Sequence, residues 1–155
     1  MKQLAILLTL FILVGCKKKE EAEPENKATT CSENYHYGSN CQAYNEFYAG
    51  SGTLNEDCTV SGVNGYSTMV ASASDPLSFT LSGLWDEPSQ ILTTCRIKSD
   101  DRFGFTATKQ ALGSTGFDIE IINGSISSDG NTITYTYKIY SGNVLVEECE
   151  GTIAK

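Results

Sequence analysis

From Thr132 to Tyr140 the chain alternates with a period of two. Ile133, Tyr135, Tyr137 and Ile139 fall on one face, and Thr132, Thr134, Thr136 and Lys138 fall on the other. Successive side chains of a strand point to opposite faces, so this pattern suits a half-buried strand and gives no helical stripe. Its β-branched and aromatic residues fit a pleated surface. The pattern recurs along the chain. Leu77, Phe79 and Leu81 alternate with Ser78, Thr80 and Ser82, and Phe117, Ile119 and Ile121 with Asp118 and Glu120. Phe103 and Phe105 alternate with Gly104 and Thr106, while Ile91, Thr93, Cys95 and Ile97 alternate with Leu92, Thr94, Arg96 and Lys98.

Turn chemistry separates these runs: Asn64-Gly65, Asp75-Pro76, Ser99-Asp100-Asp101, Asn123-Gly124, Ser128-Asp129-Gly130-Asn131 and Ser141-Gly142-Asn143. The reading is all-β, with about eight strands in an antiparallel meander joined by short links. Lys109 to Leu112 is the one candidate for a helical turn. One-sided alternation requires one covered face per strand. Two arrangements provide it, a small closed barrel and a two-sheet β-sandwich. Gly50, Gly52, Gly104 and Gly116 lie in or beside strands, where small barrels need sharp bends, and the barrel is preferred. The β domain is expected over residues 42–155.

Between Glu20 and Thr30 there are only Glu, Ala, Pro, Asn, Lys and Thr, which bury little apolar area, so residues 16–30 are expected to form a disordered charged linker. The net charge is −8, and from Cys31 onward the only cations are Arg96, Lys98, Arg102, Lys109, Lys138 and Lys155. Nucleic-acid binding needs clustered Lys and Arg, so that class is excluded. Such a surface is also repelled by anionic headgroups.

The N-terminus has a different character. Met1-Lys2 is followed by an apolar run from Leu4 to Val14, broken only by Thr9, then Gly15 and Cys16. The run is shorter than the roughly 20 residues that a spanning helix requires. Leu13-Val14-Gly15-Cys16 resembles the lipobox of bacterial lipoproteins. The resemblance implies a signal peptide over residues 1–15, cleavage before Cys16, and lipidation of that cysteine. Two or more acyl chains anchor a protein stably to a bilayer. Lys17-Lys18-Lys19-Glu20-Glu21 resembles the export signals of surface-exposed lipoproteins in some Gram-negative bacteria, and no Asp follows Cys16 to signal inner-membrane retention. The expected location is therefore the outer membrane, at the cell surface.

Of six cysteines, Cys16 is assigned to lipid. Export through an oxidising compartment makes disulfides the default for the other five. Cys58 and Cys149 lie in the first and last strands of the domain, which are partners in a closed meander. A bridge there closes a loop of about 90 residues and contributes about 4–5 kcal/mol in the chain-entropy model. Cys95 is then left over, facing inward as a small hydrophobe. Pairing of Cys95 with Cys58 or with Cys149 is the alternative. Tyr35, Gly38 and Cys41, set after Cys31, resemble the last loop of an EGF-like module, which implies a stapled loop over residues 31–41. Together with Phe47, Tyr48, Gly50, Glu56, Cys58 and Cys149, these residues resemble small secreted or lipid-anchored β proteins. That resemblance implies a lipocalin-like lipoprotein domain and no activity.

Candidate chemistry is sparse. His36 is the single histidine, so neither a histidine-built zinc site nor a Ser-His-Asp set is available. Glu148 and Glu150 share the outward face of their strand and read as a solvated edge, not a glycosidase pair. Asp100-Asp101 and Asp129-Gly130-Asn131 read as turns, because neither has the ligand number of a calcium loop. Gly113-Ser114-Thr115-Gly116 is too short for a phosphate cradle. The reading is therefore a non-enzymatic protein with no cofactor and no metal. Its expected partners are a bilayer, through Cys16, and either a small apolar ligand or an envelope protein. The ligand version requires a cavity lined by Phe79, Phe103, Phe105 and Tyr135, with Trp85 and Phe117 at its rim. The interaction version requires a filled core and a contact through a sheet face or the Cys31–Cys41 loop.

Overall fold

A computed structural model describes residues 31–86 and 91–155. The expected leader, Cys16 and the linker lie outside the described residues, as do Glu87 and Pro88. Two short strands, β1 (His36–Tyr37) and β2 (Gln42–Ala43), form a hairpin that leads into α1 (Tyr44–Tyr48). Eight longer strands follow: β3 (Gly50–Cys58), β4 (Gly62–Ser72), β5 (Ser78–Ser82), β6 (Leu92–Ile97), β7 (Gly104–Ala111), β8 (Asp118–Ile126), β9 (Thr132–Ser141) and β10 (Val144–Ala154). A single 3-10 turn, Leu84–Asp86, follows β5. Each long strand pairs antiparallel with its sequence neighbour, and β10 returns to pair with β3, so the sheet is a closed barrel. Closure removes both sheet edges. Of the two arrangements expected, the barrel is the one formed.

The alternating residues face as their pattern requires. Phe79, Leu81, Cys95, Ile97, Ile119, Ile121, Ile133, Tyr137 and Ile139 are all buried inside. Polar partners face out, the reverse of a barrel whose outer wall meets lipid. Across the wall, large and small residues interleave in one row. Phe105 pairs with Gly124, Gly124 with Tyr135, Tyr135 with Gly151, and Gly151 with Glu56. A Cβ on Gly124 would lie 2.2 Å from the Phe105 ring, and one on Gly151 would lie 2.5 Å from the Tyr135 ring. These glycines leave room for the two rings to lie flat across the interior. That explains why Asn123-Gly124 sits within β8, although its composition reads as a turn. The strand absorbs the misfit as an irregularity between Ile121 and Asn123. Asn64-Gly65 likewise lies within β4, paired with Glu56 and Asn55, and the chain reverses earlier, at Thr59–Ser61. Lys109 to Ala111 extends β7 instead of forming a helical turn.

Helix α1 closes one end of the barrel. Tyr48 is fully buried, stacks on Phe79 at 4.5 Å between ring centroids, and meets Phe105 edge-on at 5.6 Å. Its hydroxyl donates to Arg102 O at 2.9 Å. The Asn45 amide donates to the carbonyls of Ala73, Asp75 and Ser78, fixing the helix to the β4–β5 turn. Five residues make too short a helix to stand alone, so this one is held by its tertiary contacts.

Cys31 is bonded to Cys41 and Cys58 to Cys149, while Cys95 is a buried free thiol. Cys58 and Cys149 are direct register partners on β3 and β10, with Cα atoms 4.1 Å apart. The bridge therefore pins the strand pair that closes the barrel. Replacing both with Ala is expected to lower unfolding free energy by about 4–5 kcal/mol, because 91 residues separate the pair. Urea denaturation of the double variant measures this, and an unchanged midpoint would contradict it.

Candidate functional site

The end of the barrel opposite α1 is organised by two acids that point inward. Glu56 shares strand parity with Leu54 and Cys58, and all three are buried. Glu147 shares parity with Cys149 and is also buried. Each acid holds a turn in place. Glu147 Oε1 accepts from the Val60 backbone N–H at 3.0 Å, the Ser61 N–H at 2.6 Å and the Ser61 hydroxyl at 2.9 Å. Its other oxygen accepts from the Trp85 indole N–H. Glu56 Oε2 accepts from the Trp85 backbone N–H at 3.1 Å and from the Tyr66 hydroxyl. The same Tyr66 oxygen receives the Asp86 N–H at 2.7 Å. Trp85 and Asp86 both adopt left-handed backbone angles, with φ of 57° and 55°. Such angles are costly for non-glycine residues, and the hydrogen bonds that the turn donates to both acids and to the Tyr66 oxygen hold it there.

The two carboxyl groups shift in opposite directions. Burial pushes the Glu56 pKa up; bonds from Tyr66, Tyr137 and the Trp85 backbone oppose this, and the nearby Asp86 charge adds to it. Burial also acts upward on Glu147, but the bonds from Ser61, Trp85 and Val60 outweigh it and leave the pKa lowered. Hydrogen-bond donors to a carboxylate favour its ionised form, and burial without them favours the neutral one. Glu56 Oε1 and the Tyr135 hydroxyl are both buried and make no hydrogen bond of good geometry among the described residues, although Tyr135 and Tyr137 lie close enough for Glu56 to raise their pKa values. Gly151 lies between the two residues in the barrel wall, and the Tyr135 ring covers it.

A cleft of about 360 Å³ opens beside this network, lined by Glu56, Ser61, Asn64, Trp85 and Asp86. Around it the strand turns carry exposed aliphatic side chains. Val60 and Val63 are each 76% exposed and Val144 is 68% exposed, with Leu145 and Val146 beside it. The β3–β4 turn meets β10 through Thr59 N–H to Glu148 O at 3.0 Å, so these residues lie at the same end of the barrel.

A larger cleft, about 620 Å³, lies on the barrel wall where β6 and β7 part. The two strands share only two register pairs, Arg96 with Thr106 and Ile97 with Phe105, because irregularities near Ala107 bend β7 away. The Gln110 side chain bridges the gap. Its amide oxygen accepts from Thr94 N–H and its nitrogen donates to Thr94 O, both at 2.9 Å. A primary amide carries the same donor and acceptor as a backbone peptide, so this side chain continues the ladder. Tyr35 of the stapled loop lines the same cleft.

The residues singled out from sequence fall into two groups. Phe79, Phe105 and Tyr135 pack against one another. Phe79 meets Phe105 at 5.0 Å, Phe105 meets Tyr135 at 6.5 Å, and Tyr48 covers both phenylalanines. Phe103 belongs to the plugged end, packed edge-on to Phe47 at 5.9 Å and under the Arg102 guanidinium. The helical plug brings Tyr48 onto the same rings. Trp85 and Phe117 do meet at the open end, with centroids 5.1 Å apart. Cys95 is fully enclosed, and burial pushes its thiol pKa far up, away from nucleophilic reactivity. His36 Nδ1 lies 2.9 Å from Asn34 O within the entrance loop. Asp129 is engaged by Ser127 and Asn131, which is turn geometry. Glu148 faces out and pairs with Lys138 at 3.8 Å, and Glu150 is exposed. Glu56 and Glu147 are the functional candidates that a motif search passes over. Their parity with Leu54, Cys58 and Cys149 was the available signal. Comparison with protein-family models and with curated proteins finds no match for this chain.

The opposite pKa shifts give opposite pH dependence. Glu56 has a folded pKa above its unfolded value, so its contribution is full below the unfolded pKa and is lost as pH rises through the folded one. Glu147 contributes above its unfolded pKa and loses that contribution as pH falls through its lowered one. Thermal unfolding from about pH 4 to pH 8 is expected to show a decline toward neutrality that Glu56→Gln flattens and Glu147→Gln does not. A Glu56→Gln profile parallel to that of the unaltered chain would refute the assignment.

Proposed function

We propose that this chain is a lipid-anchored protein of the bacterial envelope, displayed at the outer-membrane surface, whose barrel is a non-enzymatic module for binding another envelope protein. The observation that carries the reading is the aliphatic rim of Val60, Val63, Val144, Leu145 and Val146, gathered at one end of the barrel. Contiguous exposed apolar surface marks interaction sites, whereas scattered apolar residues do not. The chain enters the folded domain at the other end, where the Cys31–Cys41 loop packs against α1 through Tyr35 and Tyr44. A tether from Cys16 would therefore leave the rim facing away from the bilayer. Packed rings occupy the barrel interior, which favours interaction over carriage of an apolar ligand. The two disulfides suit an exported protein. The lipobox-like residues up to Cys16 support the anchor.

Two measurements test this. Cys16→Ser is expected to abolish incorporation of a labelled fatty acid and to release the protein from the membrane fraction. Retention of label would sink the anchor. A photo-crosslinker at Val63 is expected to capture a discrete envelope protein in cells, and the same group at exposed Met69 on the barrel side is not. Equal capture from both positions would sink the rim as the contact surface.

A further inference from the structure

We propose that the opening between β6 and β7 is a docking site for an extended, acid-bearing peptide segment of a partner protein. The segment adds as a strand, antiparallel to β6, and takes the place of the Gln110 side chain on Thr94. The site lies on the barrel wall and does not depend on the aliphatic rim.

The ladder between β6 and β7 is the shortest in the barrel among the described residues. It has two register pairs, and every other neighbouring pair of long strands has three or more. Irregularities on either side of Ala107 bend β7, and bulges of this kind end a ladder. Past that point a side chain serves the backbone of both strands. Gln110 accepts from Thr94 N–H and donates to Thr94 O, both at 2.9 Å, and donates to Thr108 O at 3.2 Å. Thr94 is exposed and Gln110 is only partly buried. Hydrogen bonds this open to solvent break at small cost. A residue that exchanges both N–H···O bonds with Thr94 is the hydrogen-bonded pair of an antiparallel ladder. An added strand supplies such residues in series, which a single side chain does not.

The cleft over this opening, about 620 Å³, has the size of one that takes a ligand. Buried Cys95, Ile97 and Ala107 back it, so alternate side chains of an added strand meet apolar surface. Charge selects among such strands. In a chain of net charge −8, the charged residues lining this cleft are Arg96 and Lys98. Arg96 is held by Asp75 at 2.8 Å. Lys98 enters no ion pair among the described residues, and Asp101 in the turn that follows accepts from the Phe103 N–H at 3.0 Å. Complementary charge therefore favours a strand carrying Asp or Glu.

The probe is a fluorescein-labelled peptide of sequence Glu-Thr-Val-Thr-Val-Thr-Glu, titrated into the full chain in detergent and followed by anisotropy. Saturable binding is expected, and Lys98→Glu is expected to weaken it about fivefold. Gln110→Ala removes the competing amide and is expected to tighten binding about tenfold. A side chain that only held the wall together would not give that sign. The same peptide with Lys in place of Glu, and one N-methylated at alternate residues to remove ladder donors, are expected not to bind. Circular dichroism establishes that each variant is folded. Should Gln110→Ala fail to fold, Lys98→Glu and the N-methylated peptide decide. No saturable binding, equal binding of either control peptide, unweakened binding by folded Lys98→Glu, or no tightening in folded Gln110→Ala would overturn the proposal.

Discussion

Pairing of β10 with β3 is the contact on which the rest of this structure depends. Without it the eight strands form an open sheet with two bare edges and one apolar face exposed. With it, that face becomes an interior, and the molecule acquires two distinct ends. The Cys58–Cys149 bridge lies directly across this pair, so the covalent constraint and the hydrogen-bonded one reinforce each other. The constraint acts mainly on the unfolded chain, where it joins segments far apart in sequence.

Closure then sets a packing problem, which the chain solves with unequal residues. Phe105 and Tyr135 are too large to stand beside neighbours of their own size in so narrow a barrel, and Gly124 and Gly151 provide the space. The remaining volume at one end is taken by Tyr48 from α1. The other end is treated differently. Two buried acids replace apolar side chains there, and each satisfies the backbone of a turn that has no strand partner. Glu147 has donors on both oxygens, whereas the donors to Glu56 from Trp85 and Tyr66 converge on one oxygen, and the difference shifts the two carboxyl pKa values in opposite directions.

Much of the fold was legible because strand alternation is a local property. Ile133, Tyr135, Tyr137 and Ile139 face inward as their spacing requires, and parity alone placed Cys58, Cys95 and Cys149 on the interior face. Turn chemistry was less dependable. Asn64-Gly65 and Asn123-Gly124 have turn composition, yet both are strand residues, since glycine was needed against an opposing ring or side chain. Helix α1 has no local signal to overcome its short length. It exists through Asn45 and Tyr48, whose partners lie far along the chain.

The amino-acid order by itself determined the all-β class and the inward set of each strand, because both follow from a period of two, while it left Cys58, Cys95 and Cys149 with more than one pairing until the strand register placed Cys58 opposite Cys149. Only the tertiary structure brought Tyr48, Phe79, Phe105 and Tyr135 into contact across the interior. It also decided that Trp85, Glu56 and Glu147 meet at one end. Those outcomes depend on how far side chains from distant strands reach across a closed space, and no local pattern encodes that distance.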